Sequence, residues 1–371
     1  MNKKLLAMAI ATAVSIPVVA QADVKIYGRL QVEYNVEDDD GAGQDSVQSV
    51  DDNAGQSRIG FKVKEKLGGG LTAFGKIEFR LDPADHNTSG TNGNTAGSTG
   101  SIGHRDQFVG IKGSWGSISA GSHHSPYKTT GGVKWDPWTA THLQARRAGG
   151  MTGGAGIGGH NGFMRNSIYY TSPNVNGFQA RIALSPDETN AGGSENIDDG
   201  DNDYSIALSY KNGPWHAIFA HNRNNNPSGT DDEDLTKIGL RWKQGNHTIA
   251  GQYESVDDAD RVNTGTTPGG GNAANNAYRI CGGCDGDVIF LNYQFKHGSN
   301  IFTISYGNTD VDVSGGSDYD HDYWAIGVIH KFSKKTRIFA GYTETDGDDD
   351  AVNASGQDDR DAFTLGIRKD F

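Results

Sequence analysis

The chain has 371 residues, 35% of them hydrophobic, with 53 glycines, 33 basic and 46 acidic side chains and a formal charge of −13. So little apolar material cannot fill the large cores of a soluble chain this long, and the acidic balance argues against a nucleic-acid partner. Its 14 Tyr, 14 Phe and 6 Trp, set with a period of two, equally exclude intrinsic disorder.

The first predicted element is a leader. Lys3 and Lys4 make a basic start, Leu5 to Val19 an apolar run, and Ala20-Gln21-Ala22 a small-residue cleavage site, the three parts of a secretory signal over 1–22. Its removal takes Lys3 and Lys4 with it, leaving 31 basic against 46 acidic residues and a charge of −15. Beyond it no window approaches the roughly 18–20 consecutive apolar residues of a spanning helix. Residues 23–371 read as one domain.

That domain opens on a strand. Val24, Ile26, Gly28, Leu30, Val32 and Tyr34 share one face, and Lys25, Tyr27, Arg29, Gln31 and Glu33 the other. The same alternation follows in Ile59/Phe61/Val63 against Arg58/Lys62/Lys64, in Tyr204/Ile206/Leu208/Tyr210 against Ser205/Ser209/Lys211, and in Ile238/Leu240/Trp242 and Trp324/Ile326/Val328. Between strands, short turns such as Lys211-Asn212-Gly213-Pro214 and Gln244-Gly245-Asn246 alternate with long acidic connections such as "DVDVSGGSDYDHD" and "DGDDD". This rhythm gives about sixteen strands from Asp23–Val36 to Asp361–Phe371, an even number that suits an antiparallel barrel. A soluble sandwich would have to bury the Arg, Lys, Glu and Gln of the second face at several kcal/mol each. A greasy outside and a wet inside instead describe an all-β transmembrane barrel, closed so that no edge is left unpaired.

One stretch breaks the rhythm. From about 122 to 165, around "WDPWTATHLQARRAGGMTGGAGIGGH", some forty residues carry no strand pattern, far beyond the ~12–15 of an ordinary structureless connection. Its Gly154 to Gly159 fits G-x-G-x-x-G, but no strand precedes it and no helix follows, so a dinucleotide site is not indicated. Further on, Cys281-Gly282-Gly283-Cys284 falls between strands ending near Val256 and starting near Asp287. In an exported chain this spacing predicts a small disulfide-closed turn rather than a redox or zinc motif. The acidic loops lack EF-hand spacing and read as solvated tips, with weak divalent-ion bridging to lipopolysaccharide as the functional alternative. No Ser/His/Asp constellation has a local signature, and no cofactor or metal site is indicated.

Residues 23–371 resemble the trimeric general porins of Gram-negative outer membranes through "VKIYGRLQVEYN", "SRIGFKVKEKLGGGLTAFGKIEF", "RDQFVGIKGSWGSISAG", "NSIYYTSPNVNGFQARIALS" and a last strand with Phe363, Leu365, Ile367 and Phe371 on one face. Lys369 departs from the aromatic that the family usually places two before its final Phe. The resemblance implies a sixteen-stranded homotrimer in outer-membrane lipid and lipopolysaccharide, passing ions and small hydrophilic solutes. It places the strandless loop third among the long connections, folded into the lumen. It also sets Arg29, Arg58 and Arg105, with Lys62 beside them, on the pore wall facing that loop, and an ion pair of these arginines with Glu78 fits the same geometry. The family's loop is usually acidic. Here Asp136 stands alone among Lys128, Lys134, Arg146, Arg147 and Arg165, so a neutral to anion-preferring passage is expected. A channel selective for anionic solutes, and an enzyme or adhesin barrel acting through its loops, are the competing readings.

Overall fold

A computed structural model describes residues 22–39, 46–52, 57–81, 83–84, 103–147, 149–153, 156–157, 162–186, 202–225, 232–263, 278–313, 318–347 and 360–371. Its strands in chain order are β1 (Asp23–Asp39), β2 (Val47–Asp51), β3 (Arg58–Gly68), β4 (Leu71–Arg80), β5 (Gly103–Gly113), β6 (Gly116–His124), β7 (Gly156–Ile157), β8 (Phe163–Thr171) and β9 (Phe178–Ser185). They continue as β10 (Asp203–Asn212), β11 (Trp215–Asn224), β12 (Glu233–Gln244), β13 (His247–Asn263), β14 (Tyr278–His297), β15 (Asn300–Val313), β16 (Tyr319–Lys331), β17 (Thr336–Gly347) and β18 (Arg360–Asp370). Short β2 and β7 lie within long connections. The other sixteen form a closed antiparallel barrel.

Closure is made by β1. Its first half pairs with β3, from Asp23 opposite Lys64 to Arg29 opposite Arg58, and its second half pairs with β18, from Arg29 opposite Asp370 to Asp39 opposite Arg360. No spanning edge remains, so backbone donors and acceptors are satisfied without water, as a bilayer demands. Among the described residues no helix is long and apolar enough to cross a membrane; here the strands cross.

The alternation of the sequence becomes the two surfaces of the wall. Val24, Ile26, Val109, Phe178, Leu208, Ile238, Leu291, Ile326 and Ile367 stand exposed outside, a continuous apolar band that only lipid or another apolar surface can cover. Tyrosines stand at its acidic margin. The Tyr306 hydroxyl donates to Asp322 Oδ1 at 2.6 Å, the Tyr34 hydroxyl to Gln48 Oε1 at 2.6 Å, and the Tyr253 hydroxyl to Asp287. Each ring thus faces hydrocarbon while its hydroxyl meets polar groups, the preference that builds interfacial girdles.

The inward surface differs from the sequence expectation of a uniformly wet face. Phe290, Tyr323, Ile329 and Phe339 point inward from β14, β16 and β17 and are buried against Trp138, Val133, Leu143 and Met151 of the long loop. Inward polar groups of the same half, among them Gln31, Glu33, Lys237, Glu254 and Asn292, are also buried. Most escape the cost of burial by hydrogen-bonding the loop or one another, whereas Lys237 Nζ has no hydrogen-bond partner among the described residues and lies over the Tyr127 ring. The barrel is therefore half filled, and water has only the other half.

Candidate functional site

The loop between β6 and β8 enters the lumen at Ser125, whose Oγ accepts from the Lys128 amide at 3.0 Å and caps the one-turn helix Pro126–Thr129. Gly131 (φ 70°) and Gly132 (φ 24°) then carry the chain hard against the wall; a Cβ on Gly131 would lie 2.2 Å from Ile218 Cδ1. The Gly132 amide donates to Gln252 Oε1 at 2.6 Å. Further along, the His142 amide donates to Glu33 Oε2 at 2.7 Å, and Leu143 O accepts from the Tyr323 hydroxyl at 2.5 Å. Thr309 donates to Gly149 O. Finally Gly156 and Ile157 pair as β7 with Asn263 and Val262 of β13.

Both ends of this path meet at Glu254. Its carboxyl accepts from the Tyr127 hydroxyl at 2.5 Å, from the Thr152 amide at 3.3 Å and from Gln252 Nε2 at 2.7 Å. Lys237 Nζ lies 3.9 Å from the centroid of the Tyr127 ring, a buried cation over an aromatic face.

What the loop leaves open is a cavity of about 590 Å³ on the opposite side, lined by β1, β3, β4, β5, β6 and β8, by the end of β18 with Phe371, and by Thr129 and Lys134 of the loop. Glu78 organises its wall. It accepts from Arg105 Nε at 2.6 Å and the Tyr27 hydroxyl at 2.7 Å, and pairs with Lys76 at 3.2 Å and Arg58 at 3.5 Å. Asp106 pairs with Lys76 and accepts from the His124 amide at 3.0 Å. Arg29 Nε donates to Asp370 Oδ1 at 2.9 Å. Lys62 Nζ sits 4.5 Å above the Tyr27 ring. Among the described residues, neither it nor exposed Lys134 has an acidic partner.

Arg105 reaches this cluster although it shares its sequence parity with outward Val109. Between Ile77 opposite Gln107 and Phe79 opposite His104, two residues of β5 face one of β4. That bulge turns Arg105 and Asp106 toward the lumen together; nothing in an alternation count could show it.

The loop's charged residues are placed unequally. Lys134 lines the cavity. Asp136 is buried and holds the loop's own turns, accepting from the Trp138 amide at 2.9 Å and the Ala145 amide at 3.1 Å. Burial raises its carboxyl pKa to about 7 against the pull of those amides and of Arg146. Arg146 stands half-buried at the loop's last short helix, Ala145–Arg147, and the side chain of Arg147 lies outside the described residues, as does that of Cys281. Cys284 is disulfide-bonded. The Cys-Gly-Gly-Cys stretch is not in a loop, as the sequence pattern suggested. β13 and β14 run on to Asn263 and from Tyr278, and the stretch forms a bulge where the register shifts between Val256 and Arg261.

The groups that sequence reasoning missed are Lys76, Asp106 and Tyr169 on the cavity wall, where His123 and His124 also stand. His123 lies between two serines, with Nε2 2.9 Å from Ser119 Oγ and Nδ1 2.9 Å from Ser167 Oγ. The inward parity of Lys76 and Tyr169 was available as a signal; the partners of the histidines were not.

A closed sixteen-stranded barrel with an apolar exterior and a charged, water-accessible cavity beside one inserted loop defines a membrane channel. The comparisons agree. A family model described as Gram-negative porin matches residues 6–350, and the chain belongs to that family. The major outer membrane protein P.IB of Neisseria gonorrhoeae is 26% identical over 375 residues, 93% of this chain and 94% of that protein. The corresponding protein of Neisseria lactamica is 23% identical over 394 residues and all of both chains. Among solved structures, the anion-selective porin from Comamonas acidovorans aligns with a TM-score of 0.72 at 20% identity, over 95% of this chain and 100% of that one. Salmonella typhi OmpF in complex with daunomycin aligns at 0.68 and 17% identity, over 94% and 97%. The protein is an outer-membrane porin, a water-filled channel for passive diffusion of ions and small hydrophilic solutes. Family and relatives alike point to a channel rather than an enzyme.

Proposed function

We propose that the cavity is the constriction of the channel and that it prefers anions. Arg29, Arg58, Lys62 and Lys76 on the wall and Lys134 on the loop give it five cationic groups, whereas its acids, Glu78, Asp106 and Asp370, are each engaged in an ion pair. Lys62 and Lys134, without acidic partners, carry the reading: a basic constriction lowers the energy of a passing anion and raises that of a cation. The Comamonas acidovorans porin of the same fold is anion-selective, a property this reading extends to the present chain.

Reversal potential in a KCl gradient across a planar bilayer tests it. The channel is expected to favour chloride, and Lys62→Gln with Lys134→Gln to move the potential toward potassium. Cation preference of the unaltered channel would overturn the reading.

Five further assignments belong with it. Residues 1–22 are removed on export, the channel is a homotrimer, and Cys284 is bonded to Cys281, the chain's only other cysteine. Lipopolysaccharide, bridged by divalent cations, covers the outer margin of β14–β16, where Asp287, Asp310 and Asp320 stand in register on adjacent strands; like charges directly opposed destabilise a sheet unless neutralised. The channel performs no covalent chemistry: the Ser119–His123 pair ends on Ser167, and Asp106 bonds the neighbouring His124 instead. Ester hydrolysis lost in a Ser119→Ala variant would contradict that last point.

A further inference from the structure

Below the inserted loop the downward strands end alike. Lys211, Lys243, Lys296 and Lys331 each precede a short turn, and each backbone amide donates to the preceding short connection, at Gly177, Pro214, Asn246 and Ser299. Four lysines thus occupy one structural position at one height, on the short-turn side that faces the periplasm in barrels of this kind. They share the inward parity of their strands; Ile329 is the last residue of β16 buried against the loop, and Lys331 is the next inward one.

The cations are also concentrated across the strands. Lys331 is directly opposite Arg337, and Arg337 directly opposite Arg368, and Lys331 has Arg337, Lys296 and Lys243 as its electrostatic neighbours. Like charges in register are destabilising without a counter-ion. Arg337 Nε is buried with no hydrogen-bond partner among the described residues. Two acids act on Arg337, Asp370 and Glu33; Asp370 already pairs with Arg29 at 2.9 Å and Arg368 at 3.2 Å, and Glu33 accepts from the His142 amide at 2.7 Å and from Gln31 at 2.5 Å.

We propose that Lys243, Lys296, Lys331 and Arg337 form a second anion site, on the periplasmic side of the loop, which holds small multivalent anions of the phosphate class before they reach the constriction. Its charge comes from β12, β14, β16 and β17, strands that contribute nothing to the cavity wall described above, so the site stands whether or not the constriction prefers anions. Side chains on alternate strands sit roughly 10 Å apart at the wall, within the joint reach of long, flexible lysines.

The test is sided block of full-length channels inserted from one chamber of a planar bilayer in 0.1 M KCl, with inorganic pyrophosphate as the probe. Block from the short-turn side is expected to be saturable and half-complete at a concentration about tenfold lower than from the other side, the low end of the enrichment a charged cleft provides. A Lys243→Gln/Lys296→Gln/Lys331→Gln variant should lose the sidedness, and the matching triple Lys→Arg variant should keep it. Conductance in 1 M KCl, where the screening length falls to about 3 Å, should stay the same in both, showing intact barrels. Lys62→Gln with Lys134→Gln should leave the sidedness in place whatever it does to selectivity. Equal block from both sides, or sidedness that survives in the folded glutamine variant, would overturn the site.

Discussion

At the scale of single residues the loop is seated as much by what is missing as by what is present. Gly307 of β15 has no side chain where the loop passes: a Cβ there would lie 2.4 Å from Gly150 Cα. Gly327 and Gly341 likewise leave room for Trp138 and Leu143. Gly307→Val should therefore push the loop toward the β1–β6 wall and lower single-channel conductance, and an unchanged conductance would show that the loop does not bear on β15. Asp136 permits a pH test. With its folded pKa raised to about 7 and an unfolded value near 3.9, the folded chain binds the extra proton between these values. Its contribution to stability is thus present at low pH and lost as pH rises toward 7. The melting temperature of Asp136→Asn relative to the unaltered channel should accordingly rise between pH 5 and pH 8; a constant difference would mean that Asp136 titrates normally.

At the scale of elements, the strands were legible because a wall with lipid on one side enforces a strict two-residue period. The apolar positions of β1, β12 and β16 fall outside as the sequence indicates. Two things were not legible. A bulge exchanges the faces of β5 around Arg105, and periodicity cannot register one extra residue. Inward Phe290, Tyr323 and Phe339 contradict a wet lumen until the loop's Trp138, Leu143 and Met151 are known to land on them. Of the site, Arg29, Arg58, Lys62 and Glu78 could be placed by parity, whereas the contributions of Lys134, Asp136 and Arg146 depend on a loop path that no local pattern encodes. The junction at Glu254 follows from that path. Glu254→Ala would remove the acceptor shared by Tyr127 and Thr152 and the carboxyl charge nearest buried Lys237, a loss of about 1–3 kcal/mol for buried donors left unpaired. Greater open-channel current noise and a lower melting temperature are expected, and quiet current in a folded variant would remove Glu254 as the anchor.

On the scale of the whole molecule, the charge of the chain says little about what the channel admits. The formal charge is −13, yet the acids gather on the outer margin, at Asp287, Asp310, Asp320 and Asp322, and cations dominate the cavity. Selectivity should therefore strengthen as salt is lowered and screening recedes, and should persist when the outer carboxylates are neutralised with divalent cation. Selectivity that vanished with such neutralisation would place its origin at the rim.

The pairing of β7 with β13 ties the narrowest part of the channel to its outermost. β13 and β14 extend to Asn263 and from Tyr278, forming the hairpin to whose upper end the tail of the inserted loop is stitched by main-chain hydrogen bonds. A molecule that grips this hairpin from outside the cell holds a lever whose short arm lies in the passage. Whatever tilts the one must stretch or release the other.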